Sequence, residues 1–190
     1  MQYHTHITTS LAIGTGIAAT LGLPYTLGFV SGLAVGSLLP DIDHPKSFLG
    51  RRSFGISNII NRKYGHRGMT HSLVTWCSLT IPCLLFFSPF SIGAWLGYGF
   101  HIFWDYFSKT GVPLFEPFEH KRFSARFTYK TGSLMETVIF SLACALIGIL
   151  IITKDLLKQL IPSIAVNANK AIHFGVDLLV KIIKIALSNN

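Results

Sequence analysis

Three stretches of this chain carry no Asp, Glu, Lys or Arg: 7–40, 72–104 and 137–153. They are apolar on every side rather than along one stripe, which is the pattern of buried or membrane-embedded helices. Gly22 and Pro24 interrupt the first stretch, so it reads as two helices, about 7–21 and 25–39, joined by a tight turn. Ser88, Pro89 and Ser91 divide the second into helices of about 69–87 and 91–107. The segment 133–153 reads as a fifth, uncharged after Glu136. The expected fold class is therefore all-α: an integral membrane bundle of about five apolar helices in hairpins, followed by a C-terminal amphipathic helix.

In that tail Ile172, Val176, Leu179 and Ile183 fall on one helical face, while Asp177, Lys181 and Lys184 fall on another. The tail is expected to lie on the membrane or against the bundle, and its His173 to be inert. The division is a domain of residues 1–155 and a tail of 156–190. A span needs roughly 20 residues, and the first two helices are nearer 15. They are short for a full crossing.

The polar connections are basic. Residues 45–68 hold Lys46, Arg51, Arg52, Arg62, Lys63 and Arg67, and residues 108–132 hold Lys109, Lys121, Arg122, Arg126 and Lys130. Each hairpin leaves and returns to one side, so both loops share a face. The positive-inside rule makes that face cytoplasmic in a multi-pass protein of the plasma membrane. Only 13% of the 190 residues are charged, against about 25% in soluble domains. The formal net charge is +8, which suits anionic lipid head groups or nucleic acid. No array of aromatic and basic residues for stacking bases is evident, so nucleic acid ranks lower. Cys77, Cys83 and Cys144 sit in apolar stretches without a CxxC and read as small hydrophobes. MQYHTHI lacks the basic start of a signal peptide and is expected to be retained.

Chemistry gathers where the apolar stretches end. His101 and Asp105 are four apart, one above the other on a helix face. Asp41, Asp43 and His44 follow Pro40. Two carboxylates near a helix C-terminus oppose the macrodipole and call for a cation, either Arg or a metal. His66 and His71 flank a bend at Gly65 and Gly68, with Arg67 placed to clamp a phosphate and Thr70 placed to cap a helix. His6 opens the first helix, and Glu136 opens the fifth with a supporting role at most. Glu116, Glu119 and His120 read as solvated loop residues. Ionisable groups at membrane segments are costly and default to function. Mixed His and carboxylate sets suit Zn²⁺, Mn²⁺ or Fe²⁺, and this many ligands suggest two ions. The expected ligands are His6, Asp41, Asp43, His71, His101 and Asp105. Arg67, His66 and His44 are expected to act on the substrate or shuttle protons.

The blocks LLPDIDHPKSFLGRR (38–52), YGHRGMTHSL (64–73) and GYGFHIFWDYFSKTGVPLFEPF (97–118) resemble the YdjM family. That family is known as LexA-regulated, membrane-bound, metal-dependent hydrolases of bacteria. The resemblance covers about residues 5–140, and Gly132 and Glu136 fit its later Gly and Glu. The family is in turn distantly similar to the helical zinc-dependent phospholipase C and P1 nuclease group. Those enzymes hold three zinc ions with His and acid residues and cleave phosphodiesters. Here the pair ends in Asp105 rather than Glu, and no processed N-terminal Trp is present, so a third metal is not implied. The resemblance implies a bacterial inner-membrane hydrolase acting on a phosphoester, such as a phospholipid or lipid-linked phosphate, with water activated by metal. The alternative is a non-enzymatic membrane protein with a structural metal site, or a metal transporter. A transporter wants its ligands at mid-membrane depth, which these segment ends do not supply.

Overall fold

A computed structural model describes residues 1–153 and 155–188. It is all-helical: α1 Tyr3–Leu21, α2 Leu27–Gly36, α3 Ile56–Tyr64, α4 Leu73–Ser78, α5 Thr80–Leu85, α6 Pro89–Tyr106, α7 Leu134–Thr153 and α8 Leu156–Ser188. Short 3-10 turns carry Pro40–Asp43, Gly50–Arg52 and Met69–His71. Among the described residues the only β pairing is two isolated bridges, Ser108 with Tyr129 and Val112 with Phe123. They fold the long basic loop back on itself.

The centre is the pair α2 and α6. Gly32 and Gly36 on α2 face Gly93 and Gly97 on α6. A Cβ at Gly32 would collide with the Phe90 carbonyl, at Gly36 with that of Ala94, at Gly93 with that of Phe29, and at Gly97 with that of Leu33. Two small-xxx-small ridges thus bring the backbones together, the mode that helices use when hydrophobic collapse does not drive them. Both stretches contain this spacing, and it was legible in the sequence. α1 packs on this pair, with Ala18, Tyr25, Phe29 and Leu33 as the apolar core. Tyr25 reaches Thr15 Oγ1 at 3.2 Å.

The expected helix 69–87 is broken into a 3-10 turn, α4 and α5. Pro82 is the reason for the break between α4 and α5. It has no N–H to give the Ser78 carbonyl, and its ring crowds that turn. Among the described residues, α7 alone is long and apolar enough to cross a membrane. Of its side chains only Glu136 and Ala143 are buried, while Leu142, Leu146 and Ile149 face outward.

α8 begins against the α1–α2 turn. Gln159 Oε1 accepts from the Tyr25 amide at 3.2 Å, and Ser163 Oγ from the Leu27 amide at 2.8 Å. Beyond that turn Ile172, Phe174 and Val176 are exposed. The side chains of Leu179, Ile183 and Lys184, expected on its two faces, lie outside the described residues.

Candidate metal centre

The C-terminal ends of α2 and α6 and the N-terminal end of α1 meet at one end of the bundle. The turns after α2 and before α4 close over them. Gly36 and Gly97 set the approach, and its consequence appears one turn on. His101 Nδ1 lies 2.7 Å from the Ser37 carbonyl. A carbonyl only accepts, so Nδ1 carries the proton and Nε2 presents its lone pair inward. This is the supporting contact that metal-binding histidines use to fix their tautomer.

His6 stacks on His101, with ring centroids 3.7 Å apart and planes 9° from parallel. Both rings are fully buried. Neither nitrogen of His6 has a hydrogen-bond partner, and Nε2 stands 3.4 Å from Asp105 Oδ1. A buried imidazole without partners is expensive unless something else engages it.

His71 faces the pair from the opposite side. Its Nε2 lies 3.2 Å from His101 Nε2, and 3.6 Å from both Asp41 Oδ1 and Asp105 Oδ2. Two imidazole nitrogens and two carboxylate oxygens thus crowd around one point. Two sets of ligand atoms converge, His6 with His101 and Asp105, and Asp41 with His71 and His101, each within 4.8 Å. The residue types and the orphaned nitrogens of His6 fit a divalent cation. His101 Nε2 belongs to both sets and has one lone pair, so it would serve one ion at a time.

Asp43 was expected as a ligand, and the structure gives it a different place. One oxygen lies 3.0 Å from His66 Nδ1. The other accepts from the Arg67 amide at 2.8 Å and from Thr70 Oγ1 at 2.7 Å, and meets His71 Nδ1 at 3.2 Å. With these contacts made, Asp43 orients His71 rather than joining the converging set. Burial alone would raise its pKa, but the His66 and His71 contacts outweigh that and hold it far below the usual carboxylate range. His71 moves the other way. Burial opposes its charge, yet the contacts to Asp41 and Asp43 prevail and raise its pKa to about 9.

Arg67 is buried, has a left-handed backbone (φ 54°), and lines the cleft at the rim of the site while its guanidinium turns onto Asp105. Nη2 lies 2.8 Å from Asp105 Oδ2, while Nη1 donates to Ser108 Oγ at 2.6 Å and to Thr110 Oγ1. It holds Asp105 in place. The α-amino group of Met1 also sits on Asp105, 3.0 Å from Oδ1. Glu136, buried at the start of α7, accepts from the Gln2 amide and the Gly132 amide, both at 2.6 Å. It ties the start of α1 to α7. Ser37, Ser108 and Thr110 gave no sequence signal; only the fold brings them here.

His44 and His66 stand at the rim, rings 4.3 Å apart, with His66 exposed. Burial lowers the His44 pKa, helped by the charge of His66. Together with Tyr3, Asp41, Lys46 and Arg51 they line a cleft of about 300 Å³. Asp41 is the member of the cluster that faces it. His120 and Glu116 pair with each other at 3.2 Å, away from these residues, and His173 is exposed on α8.

The fold and this cluster define a class: a helical protein with one helix able to cross a membrane and with buried histidines and aspartates gathered at one end of its bundle. The match to the family model "YdjM inner membrane protein" spans residues 1–181, and the chain belongs to that family. Inner membrane protein YdjM of Escherichia coli (strain K12) is 48% identical over 87 residues, 42% of this chain and 44% of that protein. The Shigella flexneri protein of the same name matches equally. The match thus spans less than half the length of these two relatives. The uncharacterized protein YvsG of Bacillus subtilis (strain 168) is 31% identical over 143 residues, 74% of this chain and 88% of that one. No solved structure matches.

Proposed function

We propose that this chain is a multi-pass protein of the bacterial inner membrane and a metal-dependent hydrolase of a phosphoester. Its site would face the cytoplasm, where the basic loops belong. The observation that carries the reading is the convergence of His6, Asp41, His71, His101 and Asp105, with both His6 nitrogens unpartnered. His6, His71 and His101 would hold the ion through nitrogen, and Asp41 and Asp105 through oxygen. Zinc suits this donor set best, with manganese or iron next. When bound, such an ion supplies Lewis-acid activation of water and neutralises charge on a phosphoryl oxygen.

The protein groups divide the remaining work. Ser37 and Asp43 set the ring orientations of His101 and His71. Arg67 holds Asp105 in place through Nη2. His44 and His66, at the rim, are placed to move a proton between the cleft and solvent. Lys46 and Arg51 line the same cleft and favour an anionic substrate. A phospholipid or lipid-linked phosphate fits because the cleft lies at the end of the bundle from which α7 starts.

One observation favours a second reading. His6, His71, His101 and Asp105 are all fully buried, as in a closed structural site. The test is hydrolysis of phospholipids and of a chromogenic phosphodiester by the purified protein loaded with zinc, manganese or iron, beside His71→Ala. Turnover in the parent alone supports the hydrolase. A fully loaded parent that cleaves none of these overturns it and leaves the structural site.

A further inference from the structure

The segment between the two halves of the site lends Lys46 and Arg51 to the cleft, and it has a marked chemistry of its own beyond that. From Asp43 to Asp105 the chain has no acidic residue, while residues 45–64 hold Lys46, Arg51, Arg52, Arg62 and Lys63. Amid these cations large apolar side chains are left in the open. Phe54 is fully exposed, and Ile56 and Ile59 are more than half exposed. Phe54 is held out by a left-handed backbone (φ 49°), followed by Gly55 at φ 89°. The segment is nonetheless firmly mounted. Asn61 Nδ2 donates to the Asp43 carbonyl at 2.8 Å, Ser57 is buried with its amide on Ser53 Oγ at 3.0 Å, and the Arg52 guanidinium sits 4.0 Å over the Phe48 ring. A cleft of about 460 Å³ between Pro45, Arg51, Arg52, Phe54 and Asn58 offers guanidinium groups beside an aromatic edge.

Its level relative to the membrane follows from two contacts. Gln2 is bound to Glu136 in the first turn of α7, the helix able to cross a membrane. The next residue, Tyr3, stacks on Phe48 with centroids 5.0 Å apart. Phe48, near the start of the segment, therefore stands beside the first turn of α7, the helix able to cross a membrane. Exposed Phe and Ile beside Lys and Arg at that depth match a surface of anionic phospholipid, with apolar groups in the acyl boundary and cations on phosphates.

We propose that residues 45–64 form an interfacial ledge that docks on anionic phospholipid. Phe54, Ile56 and Ile59 insert, and Arg51 and Arg52 take the head-group phosphates. The proposal does not rest on hydrolysis, and its test reads neither metal nor turnover.

The full chain, with Cys77, Cys83 and Cys144 replaced by alanine, carries an environment-sensitive fluorophore through Phe54→Cys. It is placed in nanodiscs of phosphatidylcholine with or without phosphatidylglycerol. The expected result is blue-shifted emission quenched by lipid-borne nitroxides, at least about twofold more with phosphatidylglycerol. Adding Arg51→Gln and Arg52→Gln should bring quenching down to the phosphatidylcholine level. Water-like, unquenched emission in both lipids overturns the proposal. Blue-shifted emission without lipid quenching also overturns it, in favour of a protein partner. Equal quenching in both lipids overturns the anionic preference.

Discussion

The site end of the bundle and the surface of α7 are opposites. At the site end the fully buried side chains include Thr5, His6, Thr9, Asp43, His71, His101 and Asp105. On α7 the exposed large apolar side chains are Leu134, Met135, Val138, Leu142, Leu146, Ile149 and Ile152. Polar groups are inside and apolar groups outside, the reverse of a soluble domain. A bilayer resolves the outer half, since Leu against lipid tails costs nothing. It makes the inner half more demanding, because every buried polar atom must find a partner. Most do, through Ser37, Thr70, Ser108, Arg67 and the Met1 amine. Both nitrogens of His6 do not. The contrast separates the surface that suits a bilayer from the cluster that carries the proposed site.

The sharpest way to break this contrast is to empty its polar end. Asp105→Ala removes a ligand and strands the buried Arg67, so bound metal should be lost completely and stability should fall by roughly 3–5 kcal/mol. Metal analysis and thermal unfolding check both effects. Asp105→Asn, which keeps the shape, separates loss of metal from loss of fold.

Next in size is the helix contact that aims His101. Gly97→Val forces α6 off the Leu33 carbonyl. Overpacking of this kind costs about 1–3 kcal/mol, read as a lower Tm, and should also weaken metal binding. Gly93→Val, one turn further from His101, should lower Tm similarly with a smaller effect on the metal.

Asp43→Asn tests orientation against ligation. Supporting partners of metal ligands typically account for about 10–100-fold in affinity, so metal should bind more weakly yet still bind. Complete loss would restore Asp43 to the ligand set.

The pH dependence sharpens the same point. The proton on His71, with its pKa raised to about 9, must leave before its ring can ligate a cation. Affinity should therefore rise about tenfold per pH unit below 9 and flatten above it, with proton release measurable by calorimetry in two buffers. In the metal-free protein the sign reverses. A raised folded-state pKa gives stability that is complete below the unfolded value of 6.5 and is lost as pH rises through 9. The smallest effect belongs to the outer surface: Leu146→Ala on α7 should leave metal affinity unchanged within about twofold.

Much of this was legible from residues alone. The apolar stretches located α1, α2, α6 and α7, because composition reports burial in protein or lipid alike. The spacing of His101 and Asp105 announced a shared helix face, and the resemblance of residues 38–118 to a family gathered the other candidates. Pattern alone did not show which acids join the converging set. Asp41 and Asp43 are alternate acids in one turn, and which of them meets His101 depends on how a 3-10 turn orients them. Arg67 has the same limitation, since its inward turn follows from a left-handed backbone that a single residue letter does not announce. The break before α5 was readable at Pro82. The Gly32/Gly36 and Gly93/Gly97 ridges were readable too, but their partnership across the chain was not.

The most direct test of the central claim is the metal content of the detergent-purified protein beside its His101→Ala variant. The account predicts at least about one equivalent of zinc, manganese or iron in the parent, lost in the variant while the chain remains inserted. No metal in the parent after reconstitution with all three, or full metal in the variant, would contradict it.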